Sequence, residues 1–157
     1  MAGRIDRRLA ELGIELPAPA APLASYVPWK RSGNTVHISG QGPFRDGRID
    51  DKHCGRVGAD LTIEQGQEAA RLTALNVLAQ LKEACGGDLD RVRQCVQVSG
   101  FVNCVEGFTD TPSVVNGGSD VIVEIFGEAG RHARFAVGSH ALPVNIAVEL
   151  AAVFEID

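Results

Sequence analysis

The segment from residue 63 to residue 85 carries the longest helical pattern in the chain and limits the folds open to it. Small and apolar side chains recur there every three or four residues, at Ala70, Thr73, Ala74, Val77, Leu78, Leu81 and Ala84. Thr62 and Gln65 have the spacing of a capping box, and Gly86-Gly87 follows as a stop. A helix with one apolar stripe must bury it against another layer. The neighbouring segments predict a sheet as that layer.

Five strands are expected from alternating apolar residues and bounding turns, at 26–31, 35–39, 92–104, 133–139 and 146–156. In the third strand the alternation predicts one buried face, formed by Val92, Val96, Val98, Val102 and Cys104. A second helix is predicted from Pro112 or Ser113 to Phe126, although Gly117-Gly118 weakens its middle. The order ββαβαββ predicts an α+β fold with the helices on one face of the sheet.

The opposite face of that sheet would carry Phe135, Ala151 and Val153 without a helix to cover them. An exposed apolar face of this kind is typical of a surface that binds a partner, and self-association is the simplest case. Before the sheet, residues 4–12 predict a short amphipathic helix, and the proline-rich segment 16–23 predicts an extended connector. Residues 44–59, with three glycines among charges, predict a loop.

Length and composition limit the domain organisation and the classes of function open to the chain. The 157 residues fit one domain, 1–157, in which residues 1–21 form an N-terminal extension. A net charge of −5 argues against general binding to nucleic acid, and no run of apolar residues is long enough for a membrane span. The four cysteines (Cys54, Cys85, Cys95 and Cys104) lack metal-site spacing, so free thiols in a reducing cytoplasm and no metal are expected.

Arg134 and Glu149 are the candidate pair for chemistry. If the last two strands form a hairpin around residues 140–143, these two side chains lie opposite each other on the face away from the helices. Two interpretations follow. The pair is a structural salt bridge at a subunit interface, or it frames a pocket in which the arginine fork binds a small carboxylate.

Two motifs resemble a known family. The C-terminal motif runs from His132 to Gly138 (HARFAVG), followed by Leu142-Pro143 and Val148-Glu149, and the front motif is Tyr26 with VHISGQGP at 36–43. Together they are similar to the signatures of the Rid proteins (reactive intermediate deaminases), also called the YjgF or L-PSP endoribonuclease family. The resemblance covers residues 22–156. It implies a chorismate-mutase-like fold with a mixed sheet, a homotrimer with clefts between subunits, and no cofactor.

The resemblance also implies an activity, the hydrolysis of 2-imino acids to 2-oxo acids and ammonia. Arg134 would bind the substrate carboxylate, and Glu149 and Tyr26 would place the water and the substrate. Ser39 and Gly40 match the pocket wall, and Asn116 matches a pocket asparagine.

The sequence departs from the family pattern at two neighbours of Arg134. Phe135 stands where a small residue is usual, and Ala136 stands where deaminases often have cysteine. If only the backbone carbonyl of residue 136 orients the water, alanine suffices there. Three functions therefore stay open in the order imine deaminase, carboxylate-binding protein without turnover, and ribonuclease or translation inhibitor. The acidic charge and the lack of a histidine pair speak against the third.

Overall fold

The computed structural model describes all 157 residues. Three α-helices and seven strands follow one another along the chain: α1 (Arg4–Glu11), β1 (Trp29–Ser32), β2 (Thr35–Gln41), β3 (Phe44–Arg45), β4 (Arg48–Ile49), α2 (Ile63–Ala84), β5 (Val92–Asn103), α3 (Thr111–Phe126), β6 (Ala133–Ser139) and β7 (Val148–Ile156). Five of the strands form one mixed sheet in the order β1-β2-β7-β5-β6, and β3 and β4 form a separate small hairpin. The α+β class with a mixed sheet is therefore confirmed.

The core lies between one face of the sheet and the helices α2 and α3. Inward-facing residues of β2, β5 and β7 pack against the two helices, and Phe154, Leu150, Leu78, Leu81 and Ile122 are among the largest fully buried side chains. Helix α1 packs beside α3 at the end of the layer. Asp90 holds its first turn by accepting hydrogen bonds from the backbone N–H groups of Arg4 and Ile5 at 2.7 and 2.8 Å.

The glycine pair inside α3 has a packing role. A Cβ on Gly117 would overlap the backbone carbonyl of Gln67 in α2, and one on Gly118 would lie 2.8 Å from a methyl group of Leu150. Helix α3 therefore approaches α2 at Gly117 and β7 at Gly118 more closely than a side chain would permit. This explains why α3 keeps two residues that lower its intrinsic helix propensity.

The predicted hairpin of the last two strands is wrong. β6 pairs in parallel with β5, and β7 pairs antiparallel with both β2 and β5, so β5 separates β6 from β7. The segment β5-α3-β6 is thus a strand–helix–strand crossover, which joins parallel neighbours. β6 becomes an edge strand of the sheet.

Irregular pairing between β5 and β7 also changes which side chains of β5 are buried. β5 shifts its register against β7 between Val92 and Gln94 and again between Cys95 and Gln97. As a result Cys95 is buried, and Val96, expected on the buried face, is 40% exposed. Bulges of this kind add a residue to one strand and reverse the alternation beyond it.

Smaller differences lie near the N-terminus and in the loop after β2. β1 begins at Trp29, so Tyr26 lies in the bend before it rather than in a strand. The predicted loop 44–59 contains the β3–β4 hairpin and a one-turn 3-10 helix, Asp51–His53. The proline-rich connector has no regular structure, as expected. All four cysteines are free thiols, and no helix is both long enough and apolar enough to cross a membrane.

Candidate functional site

A cavity of about 550 Å³ lies where the proline-rich connector passes the end of β2 and the start of β7. Four of the residues singled out from the sequence line it, namely Tyr26, Ser39, Gly40 and Glu149. The bend before β1 supplies the tyrosine, β2 supplies the serine and the glycine, and β7 supplies the glutamate. These four residues form what we call the Glu149 cluster.

Glu149 is half-buried on the open face of the sheet, the side away from α2 and α3. It forms no ion pair within the chain, and burial raises the pKa of its carboxyl group above the ordinary 4.5. Its carboxylate lies against Gly40, where a Cβ would come within 2.5 Å of Oε1. An unpaired, partly desolvated carboxylate of this kind is suited to exchange protons with a ligand.

Ser39 and Tyr26 shape the mouth of the cavity. The Ser39 hydroxyl donates to the carbonyl of Val27 at 2.6 Å, and its backbone N–H donates to the carbonyl of Pro28 at 2.9 Å. These bonds fasten the bend that carries Tyr26 to β2. The Tyr26 ring is 46% exposed, and its hydroxyl accepts from the backbone N–H of Leu23 at 3.5 Å. Its phenol therefore stays available to a ligand.

Arg134 lies apart from this cluster, on β6. Its guanidinium donates to Asn116 Oδ1 at 2.8 Å and to Ser119 Oγ at 3.2 Å, both on α3, and no carboxylate neutralises it within the chain. Ser119 also bonds to Nε2 of His132 at 3.0 Å, and Nδ1 of that ring donates to the carbonyl of Gly130 at 2.7 Å. The carbonyl of Gly130 can only accept, so Nδ1 of the neutral His132 ring carries the proton and Nε2 accepts a hydrogen bond from the Ser119 hydroxyl. The Ser119 oxygen in turn accepts a hydrogen bond from the guanidinium of Arg134. We call Arg134 and the residues that orient it the Arg134 cluster.

The predicted pairing of Arg134 with Glu149 within one chain is therefore wrong. Arg134 of β6 pairs with Val98 of β5, and Glu149 of β7 pairs with Phe101 along the other edge of β5. At about 4.8 Å between strands and about 3.3 Å per residue, their Cα atoms lie roughly 14 Å apart. Arg134 also faces α3, whereas Glu149 faces the open side. An intrachain salt bridge between them is excluded.

Of the remaining predicted site residues, Asn116 and Ala136 belong with Arg134. Asn116 orients the guanidinium, as described above. The carbonyl of Ala136 accepts the Thr111 hydroxyl at 2.9 Å, so one of its two lone pairs is already used. Ser119 was missed in the sequence, although its position three residues after Asn116 places both on one face of a helix.

The apolar wall of the Glu149 cluster was also missed. It is built from the connector and the β3–β4 hairpin, and includes Pro22, Leu23, Phe44 and Ile49. Nothing in the local pattern of these segments indicates that they meet, because they are joined only through tertiary packing.

The fold and the sequence define the class of protein. The chain matches the family described as "YjgF/chorismate mutase-like, putative endoribonuclease" over residues 6–155, and it belongs to this family.

Among its relatives, Protein TCP17 of Trypanosoma cruzi is 47% identical over 156 residues, which are 99% of this chain and 96% of the relative. The solved structure of protein Atu1372 from Agrobacterium tumefaciens, of unknown function, is 45% identical with a TM-score of 0.90, covering 98% of this chain and 92% of that one. The YjgF gene product of E. coli is 25% identical with a TM-score of 0.61, covering 90% of this chain and 94% of that one. The chain therefore shares more structure with Atu1372 than with YjgF.

Proposed function

We propose that the protein hydrolyses reactive 2-imino acids to 2-oxo acids and ammonia, in clefts between the subunits of a homotrimer. Arg134 of one subunit would face the Glu149 cluster of the next. The observation that carries this proposal is the division of the site into two incomplete halves. One half has an oriented cation without an anion, and the other has a half-buried carboxylate without a cation.

The position of the two halves supports assembly. Arg134 lies on an edge strand, so another subunit can approach it. The open face beside it carries Phe101 and Phe135 in an edge-to-face contact at 5.6 Å, and Phe135 and Val137 are 40% and 42% exposed. Apolar surface of this kind is stabilised by burial against another copy, and rotation about a closed axis would bring each Arg134 to a neighbouring cavity.

The chemistry follows from the two halves. The Arg134 fork holds the substrate carboxylate by two parallel hydrogen bonds. Glu149 accepts a proton from water as the water oxygen bonds to C2 of the iminium, which gives a tetrahedral amino alcohol. The same carboxyl then returns the proton to nitrogen, and the C–N bond breaks as the carbonyl forms. The hydroxyl proton passes to the carboxylate of Glu149 and from it to the departing ammonia, which leaves as ammonium, so Glu149 is ionised again. The sum is iminium acid plus water giving 2-oxo acid plus ammonium, with no redox change and no cofactor.

A binding protein for stable 2-oxo acids, without turnover, is the second candidate. It is favoured by Phe135, which stands beside Arg134 where the family usually has a small residue. Ribonuclease activity, the word used in the family description, has less support because the net charge is −5 and only one of the four histidines, His132, adjoins Arg134.

The test generates 2-iminobutanoate in situ with an amino-acid oxidase and follows its loss beside calorimetric binding of 2-oxobutanoate. Arg134→Lys should weaken binding about ten- to a hundred-fold, since it loses a charge-assisted hydrogen bond worth roughly 1.5–3 kcal/mol. Glu149→Gln should keep binding and lose turnover. Arg48→Lys and Glu106→Gln, at exposed positions outside both clusters, are the matched controls. Binding without turnover in the unmodified protein would favour the second candidate.

A further inference from the structure

The cavity that contains the Glu149 cluster, which we call the Glu149 cavity, is lined mainly by uncharged residues. Among its lining residues only Glu149 carries a charge, and no lysine, arginine or histidine is present. The other walls are mainly apolar, from Pro22 and Leu23 on one side to Phe44, Ile49 and Ile146 on the other. A substrate carboxylate placed here would meet Glu149 and no cation. The part of a ligand that lies against these walls, beyond the group that meets Glu149, is therefore neutral and apolar.

Helix α2 holds both segments that build this wall. Asn76 Nδ2 donates to the carbonyl of Phe44 at 2.9 Å, and Gln80 Nε2 donates to the carbonyl of Ala20 at 2.8 Å. The two amides lie one helical turn apart, and each residue is 1% exposed. A buried amide that loses its hydrogen bond is strongly destabilising, so each bond resists movement of its segment. The wall is thus a preorganised surface rather than a loose loop.

We propose that this cavity selects 2-imino acids with a large apolar side chain, of the branched-chain or aromatic type. The inference rests on the proposed function and names its substrate class. The carboxylate would lie on Arg134 of the partner subunit, the C=N group beside Glu149, and the side chain against the connector and the β3–β4 hairpin. Acidic side chains would meet the carboxylate of Glu149 without a cation to neutralise them, and they are therefore rejected.

The experiment compares stable products, so that it does not depend on turnover. Binding of 4-methyl-2-oxopentanoate and of 2-oxopropanoate is measured by calorimetry on the full-length protein. The larger acid should bind on the order of 50-fold more tightly, because each buried methylene contributes about fourfold. In a separate arm, the imines made from leucine and alanine by an amino-acid oxidase are compared for turnover.

Two variants test the wall. Ala21→Phe fills the cavity, and Ile49→Ala removes a contact from its far side. Each should bring the ratio of the two affinities down about tenfold or more. Ala18→Phe adds the same ring to the same connector outside this cavity, and Arg48→Ala truncates the neighbouring hairpin residue. Both controls should keep the unmodified ratio.

The outcomes separate the two ideas. Selective binding with no turnover of either imine would refute the deaminase and keep the pocket assignment. Turnover of both imines with equal or better binding of 2-oxopropanoate would keep the deaminase and overturn the pocket assignment. An unchanged affinity ratio in both folded wall variants would also overturn it, as would a failure to bind either acid.

Discussion

The position of the Glu149 carboxylate depends on a single neighbouring residue, Gly40. The glutamate has no ion pair to hold it, and the lack of a side chain at residue 40 leaves the space that its carboxylate occupies. The backbone of Gly40 does not have the positive φ that would by itself require glycine. Space for the carboxylate is therefore the physical reason for glycine at this position.

Gly40→Ala should fold and lose activity. The added Cβ would lie 2.5 Å from Oε1 and 3.1 Å from Cδ of Glu149, so the carboxylate must move. Displacement of a reacting group by about 1 Å lowers turnover on the order of a hundred-fold. The measurement is imine turnover beside thermal unfolding. Full activity in a variant of normal stability would show that Glu149 does not act from this position.

The raised pKa of Glu149 predicts two pH effects. Turnover needs the ionised carboxylate, so kcat/KM should fall as the pH is lowered through a value above 4.5. For stability, the folded pKa lies above the unfolded one, so the contribution of Glu149 is present below about pH 4.5 and is lost as the pH rises through the folded pKa. Glu149→Gln should therefore be at least as stable as the unmodified protein at pH 7 in urea unfolding. A clear loss of stability would point to a structural role for the charge.

Among the secondary-structure elements, helix α2 has two roles. Its inward side fills the core, and Asn76 and Gln80 hold the segments that wall the cavity. Its start is set by the predicted capping box, in which the Thr62 hydroxyl accepts from Gln65 N–H and the Gln65 side chain accepts from Thr62 N–H. The capping box thus fixes the start of the helix that carries Asn76 and Gln80.

Thr62→Ala should lower the free energy of unfolding by about 1 kcal/mol, because the N–H of Gln65 loses its side-chain acceptor. Thr109→Ala, at an exposed threonine without a side-chain hydrogen bond, is the matched control and should change stability by less than about 0.5 kcal/mol. Urea unfolding of the two variants gives the comparison. Equal stabilities would mean that the box does not stabilise α2.

The whole molecule leaves one face of its sheet uncovered. Ala151 and Val153 of β7 lie half-buried beside the aromatic pair of Phe101 and Phe135 on that face. The two halves of the candidate site lie on either side of the same sheet. Both features agree with the proposed closed assembly.

The proposed homotrimer, whose subunit number comes from the family resemblance, predicts three times the chain mass of 16.6 kDa in light scattering. Phe135→Glu should produce monomers, because a charge in the middle of a buried apolar contact is strongly destabilising. It should also abolish turnover, although residue 135 points away from Arg134. Ala18→Glu, which adds the same charge to the exposed connector, should leave the trimer intact. A monomer of the unmodified protein at micromolar concentration would rule out the shared cleft.

Local pattern determined most of the elements but only a part of the candidate site. Helical spacing and the capping box placed α2, and alternation placed β5 and β7. Ser39 and Gly40 were predicted through the family resemblance of the motif at 36–43, and both line the cavity. Helical spacing, alternation and capping are carried by neighbours in sequence, since they reflect which side of an element is buried and how its ends are capped.

Only the tertiary structure decided which strands are neighbours, and hence where Arg134 lies relative to Glu149. Alternation in β6 and β7 is equally compatible with a hairpin and with the observed order, in which β5 lies between them. The bulges that bury Cys95 and expose Val96 arise from pairing with β7 and have no counterpart in the pattern of β5 alone. Strand order and register depend on contacts between residues far apart in sequence, so local periodicity does not specify them.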